Sequence, residues 1–243
     1  MSNSKYSEIN KCFEELDDGT LEAYKLYNHR MVNWSGPRGN NKTFYTEFIA
    51  EQLLKRKDLF SKINKSGRND YFVPGHDGVT NNHSNRTEEI FAKSLLGHQL
   101  EHLGTIIGYQ MPLKATQADD YGKVDLISFK DNTAFLIELK MADKKETLLR
   151  AALEAETYHQ LVDKKVFQRF VEEKVKDRFG EKDIEMLEIK KAVLFATNKL
   201  GKPKELKAGN ADNYKNLYKL LEDLEIGVFT INHTYPVENH FIS

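Results

Sequence analysis

Apolar and polar positions in the first third of the chain repeat with a helical period. Phe13 and Leu16 lie three residues apart, and Ile49 and Leu53 lie four apart, so each pair shares one helical face. Clusters of Gly, Pro, Asn and Ser between these segments are typical of turns. The sequence therefore predicts two helices and two loops: helices over residues 5–30 and 43–63, and loops over residues 33–41 and 66–85.

The pattern changes after residue 85. Thr87 is a suitable N-cap, and Glu88 and Glu89 occupy the first turn that acidic residues favour, so we expect a helix to about Leu103. Three short segments rich in apolar and β-branched residues follow, at 105–113, 123–129 and 133–139. Asp131-Asn132 supplies a tight turn between the last two, which predicts a β-hairpin.

The remainder of the chain continues the alternation of helices and strands. We expect four elements: a long helix from about Glu146 into the 170s, a buried strand at 192–197, a helix at 211–223 and a strand at 226–231. The central order is helix, three strands, helix, strand, which is typical of an α/β fold with a mixed sheet flanked by helices. The predicted organisation is a helical N-terminal extension over residues 1–85 and an α/β core over residues 86–243.

Composition excludes several classes of site. Cys12 is the only cysteine among 243 residues, so an intrachain disulfide and a cysteine-based zinc or iron–sulfur site are both excluded. The first residues are not followed by an apolar signal region, and no apolar run is long enough to span a membrane. We therefore expect a cytoplasmic protein without a membrane partner.

Charge is distributed unevenly along the chain. The net charge of −1 lacks the basic excess that nucleic-acid binders usually carry. Positive residues nevertheless concentrate at 55–68 and 190–219. Each of these basic stretches is either a nucleic-acid contact or a solvated face.

Two acidic residues and a lysine stand out in the predicted hairpin. Asp125 lies in Gly122-Lys-Val-Asp125, and Glu138 and Lys140 lie in Ala134-Phe-Leu-Ile-Glu-Leu-Lys140. Side chains alternate along a strand, so Glu138 and Lys140 share a face, and the hairpin brings Asp125 alongside. Carboxylates at the end of an apolar strand need compensation, which a divalent cation with oxygen ligands supplies.

With these residues, the chain resembles the PD-(D/E)XK phosphodiesterase superfamily, which includes restriction endonucleases and Holliday-junction resolvases. The resemblance covers about residues 86–198. Gly122-Lys-Val-Asp125 is similar to the family's first acidic motif, with valine where the proline can stand, and Glu138-Leu-Lys140 is similar to the second. The resemblance implies a restriction-endonuclease-like core and metal-dependent hydrolysis of nucleic acid, with DNA the favoured substrate.

The resemblance also implies roles for particular residues. Asp125, Glu138 and the backbone carbonyl of Leu139 would hold one or two Mg²⁺ or Mn²⁺ ions, and Lys140 would position the attacking water. A glutamate of the preceding helix often joins such sites; here it is Glu88 or Glu89, and helical geometry favours Glu88. Members also use the helix that follows the second motif, whose candidates for supporting or DNA-contacting roles are Arg150, Glu154, Tyr158 and Gln160. Such nucleases often pair, which makes a homodimer an expectation.

Two other functions compete with this interpretation. His98-Gln-Leu-Glu-His102 fits the H-x-x-E-H zinc motif of metallopeptidases, in which both histidines bind zinc from one helix face and Glu101 acts as general base. Glu172 or Glu173 would then be the third ligand. The other alternative is a non-cleaving relative of the nuclease fold that binds nucleic acid or protein, although such a protein has no need to keep Asp125, Glu138 and Lys140 together.

Overall fold

The computed structural model describes residues 2–37, 43–73, 87–141, 146–180, 184, 186–197, 203–207, 209–232 and 237–239. The α-helices in these ranges are α1 (Ser2–Asp17), α2 (Tyr45–Leu54), α3 (Asp58–Ser61), α4 (Thr87–Ser94), α5 (Leu148–Leu161), α6 (Lys164–Phe179) and α7 (Lys215–Asp223). Short 3₁₀ segments occupy Ala23–Asn28, Arg30–Asn33, Lys204–Leu206 and Ala211–Asn213. The strands are β1 (Gln99–Leu100), β2 (Gly104–Pro112), β3 (Lys123–Lys130), β4 (Thr133–Met141), β5 (Glu188–Ala196), β6 (Ile226–Ile231) and β7 (Val237–Asn239).

Within the described ranges the strands form one mixed sheet of seven, ordered β1 to β7. From β1 to β4 each strand is antiparallel to the next, β4, β5 and β6 run parallel to one another, and β7 is antiparallel to β6. Asp131 and Asn132 both have positive φ angles, of 48° and 62°. This backbone matches the two-residue turns that suit the strand twist. The predicted α/β class and the β3–β4 hairpin are therefore confirmed.

The sheet has a hydrophobic core on each face. In β4, Ala134 and Leu136 belong to the larger cluster, which includes α5 and α6, whereas Ile137 and Leu139 belong to a smaller cluster with α4. This alternation follows from the two-residue period of a strand. Helices therefore cover both faces of the sheet, as predicted.

The N-terminal segments share the larger core with the sheet. Ile9, Leu26 and Ile49 are buried in the cluster that contains Val193 of β5. Thr147, the N-cap of α5, accepts a hydrogen bond from the Arg150 N–H and donates its hydroxyl proton to the backbone oxygen of Val32. The N-terminal segment therefore helps to fix where α5 begins. The predicted domain boundary after residue 85 lies outside the described residues.

Two of the predicted helices end early because glycines adopt the left-handed conformation. Helix α1 ends at Asp17 rather than at residue 30, since Gly19 has a φ of 81° and the chain continues in 3₁₀ segments. Helix α4 ends at Ser94 rather than at Leu103, and Gly97 has a φ of 85°. A β-carbon at Gly97 would lie 2.4 Å from the Arg178 guanidinium, so a larger residue there would displace that side chain and strain the backbone.

Two other helix predictions are wrong in their continuity. The predicted helix over 43–63 is divided into α2 and α3, with the Arg56 N–H bonded to the Leu53 oxygen in a tighter turn. The predicted helix from Glu146 into the 170s is divided into α5 and α6. Asp163 ends the continuity because its carboxylate accepts the N–H groups of Lys165 and Val166 as an N-cap.

The strand predictions are closer to the structure. The predicted 226–231 strand coincides with β6, and β5 begins at Glu188, four residues before the predicted 192. The two short edge strands β1 and β7 were not predicted. In the described part of the chain, no helix is long and apolar enough to cross a membrane.

A buried ion pair joins α5 to the sheet. Glu156 is 2% exposed and Lys191 of β5 is 9% exposed, and Lys191 Nζ lies 2.7 Å from Glu156 Oε2. The Gln160 amide donates to the other carboxylate oxygen at 2.7 Å. Every polar atom of this carboxylate therefore has a partner, which offsets the cost of burying the charges.

We expect Glu156→Leu to lower the free energy of unfolding by about 3–5 kcal/mol, because Lys191 then remains buried without a counter-charge. The double variant Glu156→Leu/Lys191→Met should be more stable than Glu156→Leu, since it removes both charges. Lys191→Met completes the double-mutant cycle, and urea unfolding followed by circular dichroism measures wild type and the three variants. Simple additivity of the two substitutions would contradict a charge-based interaction.

Candidate active site

The predicted catalytic residues meet at one cavity. Strands β2 to β4 and helices α4 and α5 enclose a volume of about 450 Å³. Its lining residues are Thr87, Glu88, Glu89, Gln110, Lys123, Asp125, Glu138, Lys140, Glu154 and Tyr158. The structure thus brings together the strand residues and the helix residues that the sequence had placed in separate segments.

Strand register explains why these side chains converge. Leu126 pairs with Ile137, so the next position on each strand sets Asp125 opposite Glu138. Tyr109 pairs with Leu126 and Met111 with Val124, which sets Gln110 opposite Asp125. Lys140 follows Glu138 by two residues on the same face. Gln110, Asp125 and Glu138 therefore form a row across three strands, which we call the cross-strand row.

Both oxygens of Asp125 accept hydrogen bonds. The Gln110 side-chain amide donates to Oδ1 at 2.8 Å, and the Leu139 backbone N–H donates to Oδ2 at 3.0 Å. Leu139 therefore contributes its N–H to the site, and the role predicted for its carbonyl stays a prediction. Because Asp125 is buried, these two contacts define the plane and direction of its carboxylate.

Lys140 lies buried among glutamates. Its side chain is 6% exposed, and Nζ contacts Glu138 Oε1, Glu154 Oε2 at 2.9 Å and Glu146 Oε2 at 3.4 Å. The second oxygen of Glu138 is buried and accepts no hydrogen bond in the described structure. One ammonium thus pairs with three carboxylates, so some of the carboxylate lone pairs remain available to accept a further contact.

The electrostatics of the cavity are dominated by burial and by like charges. Burial is the main cause that raises the pKa of Asp125 to about 7; the Lys140 charge opposes the rise and the Glu88 charge adds to it. Burial, followed by Asp125 and Glu154, raises the pKa of Glu138 well above its usual value. Burial lowers the pKa of Lys140, but the surrounding glutamates outweigh it and hold the pKa above its usual range.

An excess of negative charge results. Five carboxylates and two lysines line the cavity. Raised carboxyl pKa values mean that the protein alone does not balance the negative charge of the ionised carboxylates. A cation bound at the cross-strand row would supply that compensation.

Tyr158 supports the site from α5. Its hydroxyl donates to Glu154 Oε1 at 2.8 Å, and its ring packs edge-on against Tyr27 with centroids 5.7 Å apart. Gly122, which opens the first acidic motif, passes so close that an added β-carbon would lie 2.0 Å from the Tyr158 hydroxyl oxygen. Glycine at this position is therefore needed for Tyr158 to reach Glu154.

Both helix candidates for the extra acidic residue line the cavity, but their surroundings differ. Glu89 lies 3.2 Å from Lys93 of the same helix. Glu88 is near enough for its charge to raise the pKa of Asp125. These contacts favour Glu88 as the residue closer to the cross-strand row.

Other predicted residues lie elsewhere. Arg150 contacts Glu146 at 3.5 Å and does not line the cavity, and Gln160 is hydrogen-bonded to Glu156 near β5.

The prediction that His98 and His102 lie one turn apart on a helix is wrong, because the segment forms β1 and the following turn. The left-handed Gly97 is the cause, since it ends the helical stretch before His98.

Several of the described residues in the two basic stretches form ion pairs. In the first, Arg56 binds Asp17 at 2.7 Å and Lys57 binds Asp223 at 2.6 Å. In the second, Lys190 binds Glu188 at 3.2 Å, and Lys191 binds Glu156. These contacts favour solvated or structural faces over a continuous nucleic-acid contact.

Sequence reasoning missed Gln110 and Glu146. Gln110 is a polar residue inside the apolar run of β2, which is a weak signal. Its pairing could not be predicted because the register of β2 against β3 shifts between Ile106 and Gly108. Glu146 precedes α5, and only the position of that helix reveals its contact with Lys140.

Within the described ranges, no group of three or more His, Cys, Asp or Glu side chains is arranged to hold a metal ion. The carboxylates available at the row are the neighbouring pair Asp125 and Glu138. Mg²⁺ is usually bound by one or two carboxylates together with waters and substrate phosphates. With the unbonded Glu138 Oε2, the donor set therefore fits Mg²⁺ better than a metal that needs a closed protein cage.

Comparisons of the chain with protein-family models, with curated proteins and with solved structures find no match. The chemistry of the site is therefore argued from its own geometry. That geometry consists of a buried carboxylate pair, a lysine two residues further along the same strand, and an acidic cavity beside them.

We expect Asp125→Asn to stabilise the metal-free protein above neutral pH. The folded pKa of about 7 exceeds the ordinary value of 3.8, so the unfolded chain releases its proton at lower pH. The carboxyl therefore lowers stability progressively from pH 3.8 to pH 7. Urea unfolding in EDTA should show a gain of up to about 4 kcal/mol at pH 8 that disappears near pH 4.

The exposed Asp120→Asn is the matched control for this titration. We expect it to change the free energy of unfolding by less than about 0.5 kcal/mol at either pH. A gain for Asp125→Asn that is equal at pH 4 and pH 8 would contradict the assigned pKa shift.

We expect Gly122→Ala to lower the free energy of unfolding by about 1–3 kcal/mol, because the added methyl overlaps the Tyr158 hydroxyl. Combining it with Tyr158→Phe should cost less than the sum of the two single changes, since the closest contact is then removed. Gly36→Ala is the control, because an added β-carbon there meets nothing within 4 Å. Equal destabilisation by Gly36→Ala would refute the steric explanation.

Proposed function

We propose that this chain is a divalent-cation-dependent phosphodiesterase of the PD-(D/E)XK superfamily that hydrolyses nucleic acid. The observation that carries the proposal is the alignment of Asp125, Glu138 and Lys140 on one face of adjacent strands, buried beside an acidic cavity. Paired carboxylates in this setting are suited to bind divalent cations, and a neighbouring lysine is suited to hydrogen-bond to phosphate and water.

The order of elements around the row supports a restriction-endonuclease-like core. Helix α4, strands β2 to β4, helix α5 and strand β5 follow the order expected of that core, with β1 and α6 as additions. Helix α4 contributes Glu88 to the cavity, and α5 contributes Glu154 and Tyr158. Each element that the resemblance assigns to the site therefore supplies a side chain.

Asp125 and Glu138 would hold the cation, with the Leu139 carbonyl and Glu88 as further candidates. When bound, the cation stabilises negative charge on the scissile phosphate and lowers the pKa of a water. Gln110 and Leu139 keep the Asp125 carboxylate oriented for this task. Glu154 of α5 forms an ion pair with Lys140 and accepts a hydrogen bond from the Tyr158 hydroxyl, so it connects the strands of the site to α5.

Lys140 acts in its charged form. In the metal-free cavity the glutamates around it raise its pKa, so it holds its proton at neutral pH and can donate hydrogen bonds. Its Nζ–H groups can orient a water or a phosphate oxygen and oppose the charge that develops during attack. Glu146 and Glu154 give the ammonium alternative partners when Glu138 binds the cation.

The negative charge of the cavity affects how a nucleic-acid substrate can bind. An acidic interior repels a phosphodiester until a cation neutralises it, so binding and cleavage should both depend on the metal. Lys123, which is exposed and lines the cavity, is placed to meet a phosphate. DNA remains the favoured substrate on the family resemblance alone.

The decisive experiment is a cleavage assay with Mg²⁺ or Mn²⁺ on plasmid, linear duplex, single-stranded and branched DNA and on RNA. We expect Asp125→Asn, Glu138→Gln and Lys140→Met each to lower the rate by about 10²–10³-fold, which is typical for loss of one preorganised electrostatic group. The exposed substitutions Glu173→Gln and Lys165→Met are matched controls and should leave the rate unchanged.

The alternatives predict different outcomes of the same assay. Cleavage that survives all three row substitutions would refute the assignment. Metal-independent nucleic-acid binding without cleavage of any substrate would indicate the non-cleaving relative. Zinc-dependent peptide cleavage that is lost in His98→Ala would indicate the metallopeptidase, whose helical motif does not occur in the structure.

A further inference from the structure

We propose that Gln110 is a positioning residue that orients Asp125 for cation binding while adding no charge of its own. The inference rests on the proposed function, because it concerns the same cavity. It is carried by the backbone conformation of Gln110, by its place in the cross-strand row, and by its hydrogen bond to Asp125.

The backbone at Gln110 has an uncommon conformation. Its φ is 48°, in the left-handed region that residues other than glycine rarely occupy, and it lies inside strand β2. The usual alternation of side chains breaks at this point. Tyr109 belongs to the core beside α4, whereas Met111, two residues further on, belongs to the core on the opposite face. Strain of this kind persists where surrounding structure imposes it, often at functional sites.

The conformation aligns Gln110 with the cross-strand row. Strand register sets it opposite Asp125, and its amide nitrogen lies 2.8 Å from Asp125 Oδ1. The Leu139 N–H holds the other oxygen at 3.0 Å. One neutral donor from each neighbouring strand therefore fixes the carboxylate, and each oxygen keeps acceptor capacity for a cation.

The neutrality of glutamine matters because of what surrounds it. A lysine or arginine at this position would pair with Asp125 as a permanent counter-ion and compete with the metal. Lys140 already has that relation to Glu138 and Glu154 on the other side of the row. An amide orients the Asp125 carboxylate without adding a positive charge that competes with the cation.

The test separates positioning from a structural role through Gln110→Gly. Glycine accepts a positive φ without strain, and this gain opposes the loss of the amide hydrogen bond to Asp125, so we expect the melting temperature to stay the same or to rise by about 2–4 °C. Isothermal titration of the full chain with Mn²⁺ should nevertheless show affinity lower by about 10–100-fold, as for other groups that orient metal ligands. Saturating Mn²⁺ should restore most of the cleavage rate.

Two further variants sharpen the interpretation. Glu225→Gly is the matched control, because Glu225 also has a positive φ, of 52°, but is exposed and outside the cavity. It should raise the melting temperature similarly and leave Mn²⁺ affinity unchanged. Gln110→Lys supplies a charged donor, so it should raise the melting temperature of the metal-free protein and weaken Mn²⁺ binding more than Gln110→Gly does.

The outcomes distinguish this inference from the proposed function. Wild-type Mn²⁺ binding that Asp125→Asn abolishes, together with unchanged binding by Gln110→Gly, would overturn the positioning role and leave the function standing. A fall in melting temperature of Gln110→Gly without a change in affinity would also overturn it, in favour of a structural role.

If wild type binds no Mn²⁺, the proposed function fails, and a double-mutant cycle decides the role of Gln110. Melting temperatures of Gln110→Gly, Asp125→Asn and the double variant should then be non-additive if Gln110 orients Asp125. Additive shifts would overturn the orientation itself.

Discussion

The burial of Lys140 among Glu138, Glu146 and Glu154 is the interaction on which the arrangement of the site depends. It joins β4 to α5 and to the residue just before that helix, so the helix cannot move along the sheet without leaving a charge unpaired. The buried ion pair between Glu156 and Lys191 holds α5 to the sheet in the same way, further along the helix. Two charged contacts between the same helix and adjacent strands define both its position and its rotation.

The N-terminal segment takes part in the same arrangement from outside the sheet. Its contacts with Thr147 secure the beginning of α5, and Tyr27 packs against Tyr158 behind Glu154. The segment is thus part of the scaffold that orients the acidic cavity, although its sequence carries none of the predicted catalytic residues. Helix α5 therefore affects both the stability of the fold and the geometry of the candidate site.

The arrangement of the candidate site was largely predictable from sequence because it depends on short-range rules. Strand alternation placed Glu138 and Lys140 together, and the Asp131-Asn132 turn placed Asp125 beside them. The predictions failed where one residue's backbone decided the outcome. Left-handed Gly97 ended a helix that periodicity extended to Leu103, and the irregular register of β2 hid Gln110. Asp163 divided one predicted helix into two by capping, which periodicity does not detect.

The β3–β4 hairpin also has a consequence for how the protein folds. Asp125 and Glu138 are joined by a two-residue turn, so their approach closes only a short loop and has a small entropic cost. Helix α4, which brings Glu88 to the cavity, lies further away in sequence and docks later by that measure. The hairpin alone places the Asp125 and Glu138 carboxylates beside a single ammonium, that of Lys140, so we expect its formation to respond to salt and to divalent cations.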